Sequence, residues 1–290
     1  MSSAGPPPAP FVVGVGRSGT TLLRLMLDAH PELAIGPETQ FVPELIDLAR
    51  EGASANELVD AMRAARTWAD FDLNADTLRE RAEGGDLAAV LRAFYGLYAE
   101  TRGKPRWGEK TPGYVRRMQP IGELLSEARF VHLIRDGRDV ALSRRARGMG
   151  ASKPMADTAR LWRKRIEAAR EAANRLRGRY VELRYEDLVA DPEPGLRRVC
   201  ELIELGYDPA MLAYHEGAGE RLAELGDLAR VDARRGREGA ERIAAHSLAT
   251  QPPTGARTGA WRAEMSAADR QAFEAVAGDL LRELGYDCLS

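Results

Sequence analysis

Residues 11–21 read Phe11-Val12-Val13-Gly14-Val15-Gly16-Arg17-Ser18-Gly19-Thr20-Thr21, and this stretch decides the fold. Its apolar start with two valines predicts a buried strand, the glycines break that strand, and apolar residues resume at helical spacing from Leu22 to Leu27. Glycines let backbone N–H groups turn inward, and the N-terminus of the following helix adds partial positive charge. The stretch therefore predicts a strand, a tight loop and a helix that together bind a phosphate or a sulfate.

The loop departs from the Walker A pattern at one position. Gly14 and Gly19 have the Walker spacing, but Thr20 stands where that pattern has its lysine. An ordinary NTPase is therefore disfavoured, and Arg17 offers a planar fork for an oxyanion instead. Hydroxyl donors come from Ser18, Thr20 and Thr21. A purely structural strand-to-helix turn stays the alternative interpretation.

The composition is that of an ordinary globular protein. The chain has 290 residues, of which 44% are hydrophobic and 30% charged, which fits one large domain or two small ones. A net charge of −2 gives no global attraction to nucleic acid or to an anionic membrane. We predict neither as a partner, and the choice between monomer and homodimer stays open.

The cysteines and the first residues indicate the compartment. Cys200 and Cys288 are too few for a disulfide framework or a cysteine-rich zinc site, and the histidines show no metal-ligand spacing, so no metal is predicted. Residues 1–10 form a proline-rich lead without the pattern of a signal peptide, and no apolar run is long enough to span a bilayer. We expect a flexible lead over 1–10, a single domain over 11–290, and a cytoplasmic protein from a GC-rich bacterial gene.

The rest of the chain predicts an α/β fold. Two further strands are expected at 129–135 and 180–185, a helical region covers 42–103, and a long helix covers 157–177. Strands separated by helices imply a P-loop-like, mainly parallel sheet with helices on both faces. A last helix is expected to begin after Ser266, which starts a capping-box pattern. Residues 213–256 give no clear pattern.

A second anion site is predicted at the end of the strand at 129–135. Arg135 closes an apolar run, so its charge needs a partner, and ligands of open α/β sheets bind at strand ends. Asp139 is expected to cap the following helix, on which Ser143 and Arg147 would share one face. Arg144 and Arg145 fit a solvated basic face.

The loop together with Arg135 and Ser143 resembles the sulfotransferases, which use 3′-phosphoadenosine 5′-phosphosulfate (PAPS) and release 3′-phosphoadenosine 5′-phosphate (PAP). The run from Leu22 to Pro43, with Gly36-Pro37-Glu38-Thr39, is most similar to the tyrosylprotein sulfotransferase branch. The resemblance covers most of the chain in order and is closest at 11–43, 107–112, 130–147 and 180–192.

This resemblance implies roles for individual residues. Glu38 matches the general base, Arg17 matches the group that binds the transferring sulfuryl, and Lys110 matches the lysine that steadies the leaving phosphate. These types suit a loose transition state, in which fixed cations stabilise the growing charge and a carboxylate takes the acceptor proton. The implied nucleotide contacts are Gly16, Arg17, Ser18, Gly19, Thr20, Thr21, Arg135, Ser143, Arg147, Tyr185, Arg257, Thr258 and Gly259.

The acceptor implied by the resemblance is a hydroxyl or a phenol. Gln40 stands where the tyrosylprotein branch has an arginine used toward acidic peptides, so a small molecule or a glycan is at least as well supported as a peptide tyrosine. Two other functions stay open: a P-loop kinase or NTPase acting on ATP, and a nucleotide-binding module without catalysis. The missing Walker lysine argues against the first, and the second depends on whether Glu38 and Lys110 act in chemistry.

Overall fold

The computed structural model describes residues 5–149, 152–223 and 247–288 of the chain. Its centre is one five-stranded sheet in the order β2-β3-β1-β4-β5, in which every neighbouring pair is parallel. The strands are β1 (Ala9–Gly14), β2 (Leu33–Ile35), β3 (Arg106–Lys110), β4 (Ala128–Ile134) and β5 (Tyr180–Arg184). The predicted α/β class with a parallel sheet is confirmed.

The central strand β1 begins earlier than the apolar run suggests. Ala9 pairs with Ala128 of β4, and its N–H donates to the carbonyl oxygen of Glu127 at 2.9 Å. The strand therefore includes the last two residues of the predicted proline-rich lead. Pro10 fits within it opposite Arg129, because a proline keeps its carbonyl acceptor although it lacks an N–H donor.

Helices cover both faces of the sheet, as parallel strands require. One buried apolar cluster joins the helices between β2 and β4 to one face, and a second joins the helix after β1 and those after β5 to the other. The helices are α1 (Thr20–Asp28), α2 (Val42–Arg50), α3 (Ala55–Ala64), α4 (Ala75–Ala82), α5 (Leu87–Thr101), α6 (Met118–Leu124), α7 (Gly137–Arg145), α8 (Met155–Arg175), α9 (Tyr185–Ala190), α10 (Pro192–Leu202), α11 (Ala218–Ala223), α12 (Trp261–Glu264) and α13 (Ala267–Glu283). Within the described ranges, none of them has the length and apolar character needed to cross a bilayer.

Most predicted helices are present, and the last one begins as its sequence indicates. The Ser266 hydroxyl accepts a hydrogen bond from the N–H of Asp269 at 3.1 Å, which caps α13. A third buried cluster packs α13 against α7, α8 and Trp261 of α12. Of the segment without a clear pattern, residues 213–223 and 247–256 form short helices and turns, and 224–246 lie outside the described residues.

The prediction for the start and end of α7 was wrong in detail. Asp136 caps the helix by accepting the N–H of Arg138 at 2.9 Å, and Asp139 lies inside the first turn instead. The helix ends at Arg145, so Arg147 lies in the following turn and does not share a helical face with Ser143. Two hydrogen bonds close this turn, because the carbonyl oxygen of Arg144 accepts from the backbone N–H groups of both Arg147 and Met149.

Candidate active site

A cavity of about 380 Å³ opens where the chain leaves the carboxyl ends of β1, β3 and β4. Ligands of parallel α/β sheets bind at this edge, and the volume is in the range of small-molecule sites. The cavity is lined by Gly16, Arg17, Gly19, Thr20, Thr21, Leu22, Glu38, Pro112, Gly113, Arg135, Met149, Arg165, Tyr185, Ala249, Pro253, Thr254 and Arg257. The glycine-rich loop, the expected base and the strand-end arginine therefore meet at one place.

The loop between β1 and α1 has an unusual backbone. Gly19 has a φ of 92°, and a Cβ at this position would overlap the ring of Tyr185. Only glycine satisfies both the positive φ and the close approach. Arg17 also has a positive φ, 83°, which is unfavourable for a residue with a Cβ. Backbone strain of this kind is typical of binding sites, where surrounding contacts hold it in place.

Two buried polar atoms at the loop lack a partner. Ser18 is fully buried, and its Oγ has no hydrogen bond to any described residue; the Nε of Arg135 is likewise unpartnered there. Buried polar groups are normally hydrogen-bonded, and the first N–H groups of α1 also have no partner within the helix. These donors fit the oxygens of an anionic ligand.

Arg135 connects the loop to the C-terminal part of the chain. Its guanidinium donates to the carbonyl oxygens of Arg17 at 3.4 Å and of Arg257 at 2.6 Å, and it stacks on the ring of Tyr185 at 4.5 Å. Its distance to a carboxylate oxygen of Asp139 is 3.9 Å. The predicted residues Arg135, Tyr185 and Arg257 are thus in mutual reach.

Asp139 fastens the segment that the resemblance assigns to nucleotide binding. Its carboxylate accepts the N–H groups of Gly259 at 2.7 Å and Trp261 at 2.9 Å. Burial raises the pKa of Asp139, while these two bonds and Arg135 oppose that shift. The Arg257 side chain pairs with Glu264 at 2.6 Å. Asp139 therefore places residues 257–261 against the end of β4, a role that its helical position alone does not indicate.

The two predicted anion sites are directly joined. The Nε of Arg17 donates to the Ser143 hydroxyl at 3.2 Å. Burial lowers the pKa of Arg17, and the positive charges of Arg147 and Arg135 lower it further. Three like charges close together favour an anion between them. Six of the predicted site residues are not part of the cavity lining itself: Ser18, Lys110, Ser143, Arg147, Thr258 and Gly259.

Glu38 and Lys110, two of the predicted catalytic residues, form an ion pair. The Nζ of Lys110 lies 2.7 Å from Oε1 of Glu38 and 3.5 Å from the Thr21 hydroxyl of the loop helix. The Lys110 side chain is 5% exposed and that of Glu38 is 26% exposed, so the carboxylate is the member that an acceptor can reach. Gln40, at the next turn position, donates to Oε2 of Glu38 at 3.1 Å.

Sequence reasoning missed two charged residues at this site. Glu109 is buried beside Lys110 and accepts hydrogen bonds from Tyr95, Thr39 and Thr111. Arg165 of α8 lines the cavity, and its pKa is lowered by burial and by the neighbouring Arg116 and Arg144. The periodicity of α8 marks its buried apolar face but carries no signal for an arginine turned to a cavity.

Of the two arginines predicted as a solvated face, one is in an ion pair. Arg145 pairs with Asp269 of α13 at 2.7 Å. Arg144 is half-buried and burial lowers its pKa; its guanidinium lies near Gly16 of the loop. Across the described part of the chain, no group of three or more histidine, cysteine or acidic side chains could hold a metal ion.

Comparisons with known proteins agree with this geometry. The Sulfotransferase family model matches residues 8–209. Over 214 residues the chain is 26% identical to the protein-tyrosine sulfotransferase of Drosophila melanogaster, and this alignment covers 72% of this chain and 40% of that protein. Over 221 residues it is 28% identical to protein-tyrosine sulfotransferase 2 of Gallus gallus, and this alignment covers 73% of this chain and 55% of that protein. The chain thus spans about half the length of these relatives.

Solved structures share the fold over nearly the whole chain. The sulfotransferase domain of the Synechococcus olefin synthase has a TM-score of 0.67 at 23% identity and covers 99% of this chain and 98% of that one. The sulfotransferase domain of the curacin biosynthetic pathway has a TM-score of 0.63 at 20% identity, with 99% and 100% covered. The family model covers well over half of the chain and includes the loop, Lys110 and Arg135, so this chain belongs to the sulfotransferase family.

Proposed function

We propose that this protein transfers a sulfuryl group from PAPS to the hydroxyl of an acceptor and releases PAP. The observation that carries the proposal is one cavity lined by the loop of Arg17, the strand-end Arg135 and Glu38, which pairs with the buried Lys110. One anion site alone would be common to many nucleotide-binding proteins. Two anion sites beside a carboxylate–lysine pair fit a doubly phosphorylated sulfate donor.

The nucleotide would be held at both of its charged ends. The loop from Gly16 to Thr21 would bind the 5′-phosphosulfate through backbone N–H groups, the Ser18 hydroxyl and the Arg17 guanidinium. Arg135, Ser143 and Arg147 would bind the 3′-phosphate, with Tyr185 and residues 257–259 closing over the adenosine. The unpartnered Ser18 Oγ and Arg135 Nε support this assignment.

The chain's own residues would provide proton transfer and charge stabilisation. When bound, PAPS supplies the sulfuryl group that is transferred. Glu38, which is partly exposed at the cavity, would accept the acceptor's proton on its carboxylate. Lys110 and Arg17 would stabilise negative charge that grows on the phosphate side, and their burial strengthens that interaction.

The acceptor would be a hydroxyl or a phenol on a small molecule, a glycan or a peptide tyrosine. The relatives are named for protein tyrosine, which supports a phenol, whereas Gln40 beside Glu38 supports an acceptor other than an acidic peptide. We also propose a cytoplasmic location, because both cysteines are free thiols.

A ligand comparison followed by a transfer assay tests the proposal. PAP should raise the melting temperature more than ATP with Mg²⁺ does. The free energy by which a ligand stabilises the folded state grows with the ratio of its concentration to its Kd, and reaches about 2.7 kcal/mol at 100 times Kd. PAPS should then sulfate at least one member of a panel of phenols and alcohols, with PAP released in equal amount. A preference for ATP, or PAP release without a sulfated product, would contradict sulfotransfer.

A further inference from the structure

A buried carboxylate lies directly behind the Glu38–Lys110 pair. Glu109 precedes Lys110 in β3, and neighbouring residues of a strand point to opposite faces, so Lys110 points toward Glu38 of the cavity lining while Glu109 points into the protein. Glu109 is 1% exposed. Its Oε1 accepts from the Thr111 hydroxyl at 2.6 Å, and its Oε2 accepts from Tyr95 at 2.9 Å and Thr39 at 3.2 Å.

The direction of the hydrogen bonds is consistent along the whole network. The backbone N–H of Val42 can only donate, and it donates to the Tyr114 oxygen at 3.1 Å. Tyr114 then donates its own proton to the Thr39 hydroxyl, 2.7 Å away, and Thr39 donates to Glu109. Every link is satisfied when Glu109 is ionised, because a carboxylate accepts all three hydroxyl protons.

Thr39 is the residue through which this network reaches the cavity. It follows Glu38 directly, it is fully buried, and its carbonyl accepts from the Thr67 hydroxyl at 2.5 Å. Gln40 then has a φ of 60°, which is unfavourable for a residue with a Cβ. A turn with such a backbone persists only where surrounding contacts hold it. The network supplies those contacts on the buried side of the Glu38 turn.

We propose that Glu109 is a positioning residue that holds Glu38 at Lys110 by anchoring the Glu38 turn through the Thr39 hydroxyl. Glu109 sits next to Lys110 along β3 and bonds to the residue next to Glu38, so one buried group restrains both members of the 2.7 Å pair. Glu109 is buried and does not line the cavity. This inference rests on the proposed function, because it assigns Glu38 and Lys110 to the transfer.

Glu109 is expected to change its ionisation state near neutral pH. Burial raises the pKa of Glu109 to about 7, although its three hydroxyl donors and Lys110 oppose the shift. The titratable groups that face it are Lys110, Tyr95 of α5 and Tyr114 of the turn after β3, and burial holds both tyrosine pKa values well above the ordinary value. Protonating Glu109 removes one acceptor from the network, which weakens the anchor of the turn.

Substitutions at Thr39 separate positioning from simple stability. Thr39→Val removes the hydroxyl link at nearly constant volume and should lower kcat about tenfold to a hundredfold, the effect of a small misplacement of reacting groups, while the Kd for PAP stays within about twofold. Thr39→Ser keeps the hydroxyl and should restore most of kcat. Val199→Ala, in the buried face of α10 and remote from the cavity, controls for a general loss of stability.

Glu109→Gln tests the carboxylate itself. The amide oxygen can still accept from Thr39 and Tyr95, and the amide nitrogen can donate to Thr111, but the group no longer takes up a proton near neutral pH. Wild-type kcat should fall as the pH drops below about 7, and this limb of the profile should be missing in the variant. The melting temperature alone would not report such a change.

The outcomes distinguish this inference from the proposed function. A wild-type protein that transfers no sulfuryl group from PAPS contradicts the function and removes the basis of the inference. An active wild type with unchanged kcat in Thr39→Val overturns the inference alone. So does an equal loss of kcat in Val199→Ala, a Thr39→Ser variant that is not rescued, or an unchanged pH profile in Glu109→Gln.

Discussion

The Arg135 guanidinium donates to the carbonyl oxygen of Arg257 at 2.6 Å across 122 positions of sequence. This bond brings the C-terminal segment to the end of β4, where the 3′-phosphate is expected. The remaining polar atom of the Arg135 side chain, Nε, is buried without a partner among the described residues. One side chain thus serves both the architecture of the site and the anion that the site is expected to bind.

Arg135→Ala should weaken the binding of PAP about tenfold to a hundredfold relative to wild type, because charge-assisted hydrogen bonds contribute roughly 1.5–3 kcal/mol each. The matching loss for adenosine 5′-monophosphate, which lacks the 3′-phosphate, should be much smaller. Calorimetric titration of both nucleotides measures the ratio of the two losses in affinity. A general loosening of the site would weaken both nucleotides alike and so cancels in this ratio. Equal losses would place the 3′-phosphate elsewhere.

Glu38→Gln should leave the Kd for PAP nearly unchanged and lower kcat with an aliphatic alcohol by about a hundredfold, the usual contribution of a positioned base. The amide keeps an oxygen for the Lys110 ammonium, which lies 2.7 Å from Oε1 in the wild type, so packing and pairing change little. Phenols of low pKa should show a smaller defect, since less proton removal is needed. Turnover within about twofold of wild type with the alcohol would remove Glu38 from the base role.

Asp139→Ala should release residues 257–261, because it leaves the N–H groups of Gly259 and Trp261 without their acceptor. We expect a loss of about 2 kcal/mol or more in the free energy of unfolding, and roughly tenfold weaker PAP binding, since the segment must then be ordered on binding. Asp269→Asn is the control, as it breaks the ion pair with Arg145 without touching the segment. If both variants bind PAP equally well, the segment does not contribute to the nucleotide site.

Stability as a function of pH should reveal two buried groups that act in opposite directions. Burial lowers the pKa of His132 to about 4 from an ordinary 6.5, so the unfolded chain binds its proton first and stability from this group is lost as the pH falls from 6.5 to 4. Burial raises the pKa of Glu109 from 4.5 to about 7, so the folded chain binds that proton first and stability is gained as the pH falls over this range.

Single variants at these two positions should therefore diverge. Relative to wild type, His132→Phe should gain stability as the pH falls from 6.5 to 4.5, and Glu109→Gln should lose stability, each by up to about 1.4 kcal/mol per pH unit. Urea unfolding across that range gives the slopes. Parallel curves for wild type and both variants would show that neither group is shifted by the fold.

The sequence predicted the fold where apolar runs are continuous and missed it where they are not. β1 and β4 are apolar and lie between other strands, so their composition reports their burial directly. β3, which reads Arg-Trp-Gly-Glu-Lys, also lies inside the sheet, but it has no continuous apolar run and no strand was predicted there. Its Glu109 is buried because Thr39 and Tyr95 supply hydroxyl donors from other elements, and no local pattern records such partners.

The candidate site shows the same limit. Short-range patterns predicted Arg17 and Arg135, because a glycine loop and a strand end have local signatures, whereas Glu38 was predicted only from the resemblance to the sulfotransferases. Asp139 looked like a helix cap, and its bonds to Gly259 and Trp261 depend on a segment 120 and 122 residues away. Residues 224–246, which belong to the segment without a clear pattern, lie outside the described residues.

Arg17 has a positive φ of 83°, so at this one position a change that raises thermal stability is expected to lower activity. Arg17→Gly would relieve roughly 1 kcal/mol of backbone strain and remove a buried charge from beside Arg135 and Arg147, so the variant should tolerate heat better than the wild type. Directed evolution that selects survivors of heating alone would therefore enrich chains that have lost the arginine proposed to bind the sulfuryl group. A thermostabilised enzyme of this family would have to be selected for retained PAP binding in every round.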